Sequence, residues 1–322
     1  MKIFIDDGST NTKLAWIEEG KSKSFISPNS FKREWSVPFG DQPVCNYLLD
    51  GERYSFDPIS ADAVKTTHAR YQYDDVNVIA IHHALLKTDL LPQEIDVEVT
   101  LPLAEYLDEN NQPNQHNINR KKENVKRRVA RENGETFTIK NVRVMPESIP
   151  AGFNLVKNLD ELDSLLIVDL GGTTLDVAQI RGKLSGISKT FGDPTIGVSI
   201  ITNAVKSALS CANIRTSSYF ADELIKHRHD SDYLKKRIPN ESKLSLIMEA
   251  IRDKEMVLIN RVKEAVSVFF GYTHVMIIGG GGEIIADAVK KVTGISKDRF
   301  FFDKNSQLAL ANGLLAMGGY GE

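Results

Sequence analysis

The sequence predicts an α/β protein built from two related halves. Two observations support this prediction. A strand–turn–strand pattern occurs twice, about half a chain apart, and short apolar strand segments alternate with helical segments along the whole length. The 322 residues fit two domains of ordinary size. With 41% hydrophobic and 26% charged residues, the composition is that of a globular protein and argues against wholesale disorder.

The repeated pattern is an apolar strand that ends in aspartate, a glycine turn and a second strand. The first copy covers residues 3–17 and the second covers residues 165–180. Internal repetition of this kind indicates architecture before any detail is considered. The second copy lies 163 positions after the first, which aligns Asp6 with Asp169, Gly8 with Gly171, and Thr10 with Thr173.

Hydrophobic periodicity and turn residues predict the other elements. Residues 27–75 are predicted to form irregular strands and loops. The rest of the first half is predicted as a helix over 76–86, a strand over 95–103, a polar loop over 110–119, a basic helix over 120–131, a strand over 136–145 and a linking helix over 149–159. The second half is predicted as helices over 198–209 and 219–227, a long helix or broken pair over 242–269, a buried strand over 275–278, a helix over 283–292, a strand over 299–302 and a closing helix over 305–317.

Charge and cysteine content exclude several classes of protein. The net charge of −3 and the pI of about 6.2 do not suit a protein that binds nucleic acid through its overall charge. Two cysteines, Cys45 and Cys211, are too few for a disulfide framework. The apolar start is interrupted at Asp6, so it is not a signal peptide, and no membrane-spanning stretch is present. We therefore expect a soluble cytoplasmic protein without a membrane partner.

Three glycine-marked turns follow strands, near Gly8, at Gly171-Gly172 and at 279–282. Glycine lets backbone N–H groups approach a phosphate closely, and successive N–H groups at such turns form anion-binding concavities. A single Asp-Gly turn is more simply explained as a hairpin turn. Two matched copies and a glycine run after a buried strand together indicate a phosphate site.

The two strand-ending aspartates suggest a divalent cation. Asp6 and Asp169 would repel a triphosphate unless a cation lay between them. Mg²⁺ suits this role, because it keeps several waters and uses few carboxylates together with substrate phosphates. The alternative is that both aspartates only cap their turns.

These motifs resemble those of the superfamily that contains actin, heat-shock chaperones and sugar kinases. The resemblance lies in Asp-Asp-Gly-Ser-Thr-Asn-Thr-Lys at 6–13, Asp-Leu-Gly-Gly-Thr-Thr at 169–174 and Val-Met-Ile-Ile-Gly-Gly-Gly-Gly at 275–282. Within that superfamily, stretches 27–35, 55–59, 145–152 and 271–276 resemble the ParM family of plasmid-segregating actin-like ATPases. That resemblance runs nearly from end to end.

The resemblance implies two actin-like (ribonuclease H-like) domains with mixed β-sheets flanked by helices and a nucleotide in the interdomain cleft. Domain I would comprise 1–157 plus 304–322, and domain II 158–303. Glu147 would orient the attacking water as a catalytic residue together with Asp169, and Asp6 and Asp169 would hold Mg²⁺ through water. The implied cofactor-binding residues are Asp7, Gly8, Ser9, Thr10, Asn11, Lys13, Gly171, Gly172, Thr173, Thr174, Gly197, Gly279, Gly280, Gly281 and Gly282.

The function implied is an Mg²⁺-dependent ATPase that forms actin-like filaments and segregates plasmid DNA copies in the bacterial cytosol. Its partners would be further copies of itself and a DNA-bound adaptor protein. ATP is expected, with GTP left open, because glycine turns recognise phosphates rather than bases. The alternatives are a sugar kinase or a chaperone-type ATPase of the same superfamily. A basic cluster over 120–131 could contact DNA, but a solvated helix face or a filament contact explains it more simply, so we expect no direct DNA binding.

Overall fold

The computed structural model describes residues 1–39, 44–303 and 305–318. Its strands, in chain order, are β1 (Lys2–Asp7), β2 (Asn11–Glu18), β3 (Lys21–Pro28), β4 (Phe31–Lys32), β5 (Asn46–Leu49), β6 (Glu52–Phe56), β7 (Glu94–Leu101), β8 (Ala130–Arg131), β9 (Thr138–Pro146), β10 (Ser164–Leu170), β11 (Leu175–Arg181), β12 (Gly186–Asp193), β13 (His274–Ile278) and β14 (Phe300–Phe302). Its helices are α1 (Asp75–Leu86), α2 (Leu103–Tyr106), α3 (Gln115–Val125), α4 (Phe153–Val156), α5 (Ser199–Cys211), α6 (Ser218–Lys226), α7 (Ser231–Arg237), α8 (Glu241–Ser267), α9 (Gly282–Thr293) and α10 (Ala309–Gly318).

Two mixed sheets share one topology. The strand order is β3-β2-β1-β7-β9 in the first half and β12-β11-β10-β13-β14 in the second. In each sheet, three strands form an antiparallel meander, and the other two run parallel to the central strand. The repeated pattern therefore occupies the same place in both sheets, which confirms the predicted α/β fold of two related halves. A smaller sheet, β4-β6-β5-β8, is inserted in the first half.

Apolar side chains fix each central hairpin against helices. In the first half, Ile5 and Leu14 pack in one core with Ile81 of α1. In the second half, Val168 shares a core with Leu258 of α8. Each fully buried side chain of this size stabilises the fold by about 1.5–3 kcal/mol. The polar residues that end β1 and β10 are thus carried on rigid strands.

The closing helix α10 returns to the first sheet. Its Ala311 and Leu314 are buried against Phe4 of β1 and Ala15 of β2. The first half therefore contains chain segments from both ends of the sequence. The domain boundaries, 1–157 plus 304–322 for one domain and 158–303 for the other, remain a prediction.

Several helices differ from the sequence-based expectations. Helix α3 begins inside the predicted polar loop, because the Asn114 side chain caps it by accepting a hydrogen bond from Asn117 N–H. It ends at Val125, and residues 130–131 form a strand instead of helix. The predicted linking helix is a 3-10 turn followed by the short α4.

Other differences lie in the second half. Helix α7 and strand β12 were not predicted. The segment 242–269, predicted as a long helix or a broken pair, forms one continuous helix, α8, up to Ser267. In the described ranges, no helix combines the length and apolarity needed to cross a bilayer.

Two adjacent histidines of α1 are buried. Neither ring nitrogen of His82 has a hydrogen-bond partner among the described residues, and burial lowers the pKa of His82 to about 4. His83 shares a hydrogen bond with the Tyr47 hydroxyl and stacks on Phe56. Both rings are packing groups.

Because His82 is held neutral, the fold should lose stability in acid. The unfolded chain protonates His82 below about pH 6.5, while the folded chain does so only near pH 4, so stability falls as the pH drops through this window. Between pH 7 and pH 5, the parent should lose about 2 kcal/mol more of its free energy of unfolding than His82→Leu. Urea unfolding at both pH values measures the difference. His116→Ala, at an exposed histidine, should behave like the parent; equal losses in all three proteins would contradict this prediction.

Candidate active site

A cleft of about 440 Å³ lies where the ends of the two central hairpins meet. Its volume is in the range of small-molecule sites. The predicted site residues that line it are Asp6, Gly8, Ser9, Thr10, Asn11, Lys13, Glu147, Asp169, Gly171, Gly172, Thr173, Thr174, Gly279 and Gly280. Residues from four separate segments of the chain thus share one cavity.

The two repeated turns touch each other across this cleft. The Ser9 and Thr173 hydroxyls are 2.7 Å apart and share a hydrogen bond. A Cβ atom on Gly172 would lie only 2.4 Å from the Thr10 methyl group. Glycine at 172 therefore permits the close approach of the turns. Their backbone N–H groups can act on the same ligand from two sides.

A buried ion pair lies at the base of the cleft. Asp6 and Lys13 face each other across β1 and β2, and the Lys13 Nζ is 3.1 Å from Asp6 Oδ2. Burial raises the pKa of Asp6, although Lys13 opposes this rise. Burial alone would lower the pKa of Lys13, but the surrounding carboxylates, Asp6 foremost, raise it above its usual value. Lys13 is thus firmly a cation that faces several acidic groups.

Two further carboxyls share this environment. Burial raises the pKa of Asp169 well above its usual value, and repulsion from Asp6 and Asp176 adds to the effect. Burial and the carboxylates of Asp176 and Asp6 likewise raise the pKa of Glu147 well above its usual value. Acidic groups are therefore concentrated here beyond what Lys13 alone can balance.

Asp176 is a site residue that the sequence-based prediction missed. It faces Asp169 across β10 and β11, as Lys13 faces Asp6 in the first hairpin. Its Oδ1 accepts a hydrogen bond from Leu103 N–H at 2.7 Å, while Oδ2 is buried without a partner in the described residues. Burial raises the pKa of Asp176 to about 6 against the lowering effect of that N–H. The 163-residue offset, which pairs Asp176 with Lys13, was the available signal.

Glu147 follows β9 at a strained bend. Ser148 has φ 64° and ψ −52°, and Ile149 N–H bonds to Glu147 C=O at 2.8 Å. These values describe a γ-turn of the rarer and strained hand. Strain of this kind clusters at functional sites because only surrounding structure can maintain it. The bend holds Glu147 at the cleft, and its carboxylate has no hydrogen-bond partner in the described residues.

Asp7 is not brought into the cleft, and its predicted cofactor contact needs correction. Successive side chains of a strand point to opposite faces, so Asp6 and Asp7 cannot both face the ligand. The Asp7 carboxylate is fully buried behind the turn, where it pairs with Lys121 and accepts a hydrogen bond from Asn77. It supports the first turn from behind.

Three predicted glycines also lie outside the cleft lining. Gly281 and Gly282 lie where α9 begins and pack against Leu170 and Phe302 respectively. Gly197 lies behind the second turn, close to Gly172 and Thr173. They pack within the cleft walls, and their contact with the cofactor stays a prediction.

Three residues of the basic cluster over 120–131 are engaged in contacts within the protein. Lys121 is the buried partner of Asp7. The Arg120 guanidinium lies 4.1 Å from the centre of the Tyr73 ring, and Arg127 pairs with Asp50 and Asp75. These contacts give the three residues a structural role within the first half.

Solved structures with the same architecture define the class of protein. The archaeal actin homologue Ta0583 superposes with a TM-score of 0.68 at 16% identity over 99% of each chain. A 15-stranded ParM filament from Clostridium botulinum gives 0.70 at 15% identity over 99% of each chain. AlfA from the B. subtilis plasmid pLS32 gives 0.55 at 16% identity over 98% of each. Likeness at this identity establishes the fold, so the chain has an actin-like fold.

The family follows from models of its two domains. The N-terminal model of plasmid segregation protein ParM matches residues 1–158, and the C-terminal model matches residues 159–317. The chain belongs to the ParM family, and the expectation of an actin-like plasmid segregation protein is confirmed. The comparison with curated protein sequences found no match.

Proposed function

We propose that this chain is an Mg²⁺-dependent ATPase that binds its nucleotide in the cleft and assembles into filaments in the nucleotide-bound state. The principal observation is the contact between the two repeated turns above the carboxyls that surround Lys13. Such turns suit a polyphosphate, and Lys13 suits its charge. One structure of the archaeal actin homologue Ta0583 is a complex with ADP, which supports nucleotide binding by this chain.

The residues at the base of the cleft fit a magnesium ion. Asp6 and Asp169 are buried, and burial raises the pKa values of both carboxyls, while repulsion from Asp6 raises the pKa of Asp169 further. A divalent cation reverses such repulsion. No three acidic, histidine or cysteine side chains of the described chain converge to ligate an ion directly. We infer that Asp6 and Asp169 hold Mg²⁺ through water, as this ion prefers. When bound, the ion would neutralise charge on the phosphates.

Lys13 and Glu147 would have two separate roles, phosphate binding and orientation of the attacking water. Lys13 would bind phosphate oxygens by charge-assisted hydrogen bonds. Glu147 would accept a hydrogen bond from the attacking water and orient it, which is the main demand of phosphoryl transfer. Asp169 lines the same cleft and would fix the positions of further waters, with Asp176 opposite it on β11. Gly279 and Gly280 line the cleft together with Glu283 and Gln307. They would contact the nucleoside, whose base would be adenine or guanine.

The biological setting follows from the family. We propose that hydrolysis weakens the filament, and that a DNA-bound adaptor protein couples filament growth to plasmid copies in the bacterial cytosol. Filaments of the ParM from Clostridium botulinum and of AlfA support assembly of this chain with copies of itself.

Light scattering with phosphate release tests this function. On addition of Mg-ATP, scattering should rise as filaments form and decay as ATP is consumed, with phosphate released in parallel. Excess EDTA should abolish both signals because the carboxyls then lack their cation. Mg-GTP in a parallel sample reveals the base preference. Phosphorylation of a sugar without a rise in scattering would instead indicate a kinase of the same superfamily.

A further inference from the structure

One asparagine outside the cleft lining holds the first turn from behind. Asn29 is buried at the end of β3, and its side-chain Nδ2 donates to Gly8 C=O at 2.8 Å and to Ser9 C=O at 3.3 Å. Its Oδ1 accepts a hydrogen bond from Thr12 at 3.1 Å. Its backbone N–H also bonds to Thr10 C=O at 2.9 Å. One residue therefore binds three successive carbonyls of the turn.

The side-chain amide can bind in only one orientation. If the amide were reversed, its oxygen would face the carbonyl oxygens of Gly8 and Ser9, and both acceptors would lose their donor. The Thr12 hydroxyl and the Tyr71 hydroxyl complete the hydrogen bonds of Asn29. The donor end of the amide thus points at the turn.

Because the peptide unit is planar, these hydrogen bonds also fix the direction of the N–H groups in the same peptides. In a trans planar peptide, C=O and N–H point in opposite directions. Holding the carbonyls of Gly8 and Ser9 towards Asn29 turns the next two N–H groups, those of Ser9 and Thr10, the other way. Neither N–H has an acceptor in the described residues, and both residues line the cleft. Two successive unpaired N–H groups form a nest for an anion.

The second turn is held at the equivalent atoms by a different donor. The carbonyls of Gly171 and Gly172 accept hydrogen bonds from Val198 N–H at 3.1 Å and Ser199 N–H at 2.8 Å. These carbonyls lie 163 positions after those of Gly8 and Ser9. The start of α5 can come this close because residue 197 is glycine; a Cβ there would lie 2.5–2.7 Å from the Thr173 and Gly172 backbone.

We infer that Asn29 is a positioning residue for the nucleotide phosphates. It takes the place, in the first half, of the helix start that supports the second turn. The side-chain amide fixes the peptides of Gly8–Ser9 and Ser9–Thr10 so that their N–H groups face a phosphate before it binds. Such pre-organisation raises affinity because the turn need not be ordered on binding. The inference rests on the proposed nucleotide site.

Asn29→Asp provides the test because it keeps the side-chain shape and the Thr12 acceptor while it removes the donor. The carboxylate oxygens of this variant would repel the two carbonyls and rotate the peptides away. We expect the affinity for Mg-ATP, measured by calorimetry, to fall about tenfold or more. This is the loss expected when one or two hydrogen bonds from the turn N–H groups to the charged phosphate are not formed. Hydrogen exchange should show that Mg-ATP protects the peptide covering 8–12 in the parent but much less in the variant.

Asn46→Asp is the matched control. Asn46 is also buried and its amide also donates to a backbone carbonyl, that of Ser36, away from the cleft. The Asn46→Asp variant should bind Mg-ATP as the parent does, whatever the stability of the variant. If the parent binds and folded Asn29→Asp binds equally well, the positioning role is overturned while the nucleotide site stands. If the parent itself does not bind, both proposals fail.

Discussion

Glu147→Ala should slow ATP hydrolysis by about 10²-fold or more and leave the affinity for Mg-ATP close to that of the parent. The carboxylate lines the cleft but has no hydrogen-bond partner in the described residues, so it is available to a water molecule. The phosphate contacts, in contrast, would come from the two turns and Lys13. Removing Glu147 should therefore affect the chemical step rather than binding.

The same variant should not be less stable than the parent. Burial and neighbouring carboxylates raise the pKa of Glu147, so its charged form is disfavoured in the folded state. Alanine removes that unfavourable charge from the cluster. We expect an equal or higher melting temperature without nucleotide, which is the usual sign of a residue kept for activity.

Single-turnover phosphate release and light scattering measure the consequences for Glu147→Ala. Filaments should form on Mg-ATP and persist, because their decay requires hydrolysis. Glu147→Gln is the graded comparison, since an amide oxygen still accepts a hydrogen bond from water; it should retain more activity than alanine. Turnover in Glu147→Ala at the parent rate would remove Glu147 from the mechanism.

The duplicated hairpin explains why so much of the site could be predicted from the sequence. Strand pairing places position 13 opposite position 6 and position 176 opposite position 169, and the two equivalent sheets bring both turns to one cleft. Short local patterns therefore sufficed to locate the turns and the two aspartates, whereas Lys13 was predicted from the family resemblance. Asp176 could have been found by applying the same offset to Lys13.

Long-range packing explains what the sequence-based prediction missed. Asp6 and Asp7 must point to opposite faces of β1, but local sequence does not tell which one faces the cleft. The answer depends on Lys121, which reaches Asp7 from α3, over a hundred positions away. Asn29 likewise acts through the pairing of β3 with β2, which no short motif reveals.

The strained bend after Glu147 has a similar origin. Nothing in the residues around Ser148 predicts a positive φ, since serine has no preference for that region. The conformation is imposed by β9, which is fixed along β7, and by the 3-10 turn that follows and contacts α10. Residues whose roles depend on such tertiary constraints can be identified only in the folded structure.

Replacing Lys13 should weaken ligand binding, whereas replacing Lys121 should weaken folding. Lys13 and Lys121 pair with adjacent aspartates, Asp6 on the cleft side and Asp7 behind the turn. Lys13→Met should reduce the affinity for Mg-ATP by about 10²-fold or more, because the phosphates lose a cation and meet unbalanced carboxylates. Calorimetry with Mg-ATP measures this loss. Affinity equal to that of the parent would contradict the phosphate role of Lys13.

Lys121→Met should lose stability but keep its affinity for Mg-ATP. Asp7 would remain buried without its partner, which costs about 3–5 kcal/mol of the free energy of unfolding. The protein that stays folded should bind Mg-ATP nearly as tightly as the parent, because Lys121 does not line the cleft. Adding Asp7→Asn removes the isolated charge and should restore part of the stability in urea. If instead Lys121→Met lost affinity in proportion to Lys13→Met without losing stability, the two lysines would share one function, and the assignment of opposite faces to Asp6 and Asp7 would be wrong.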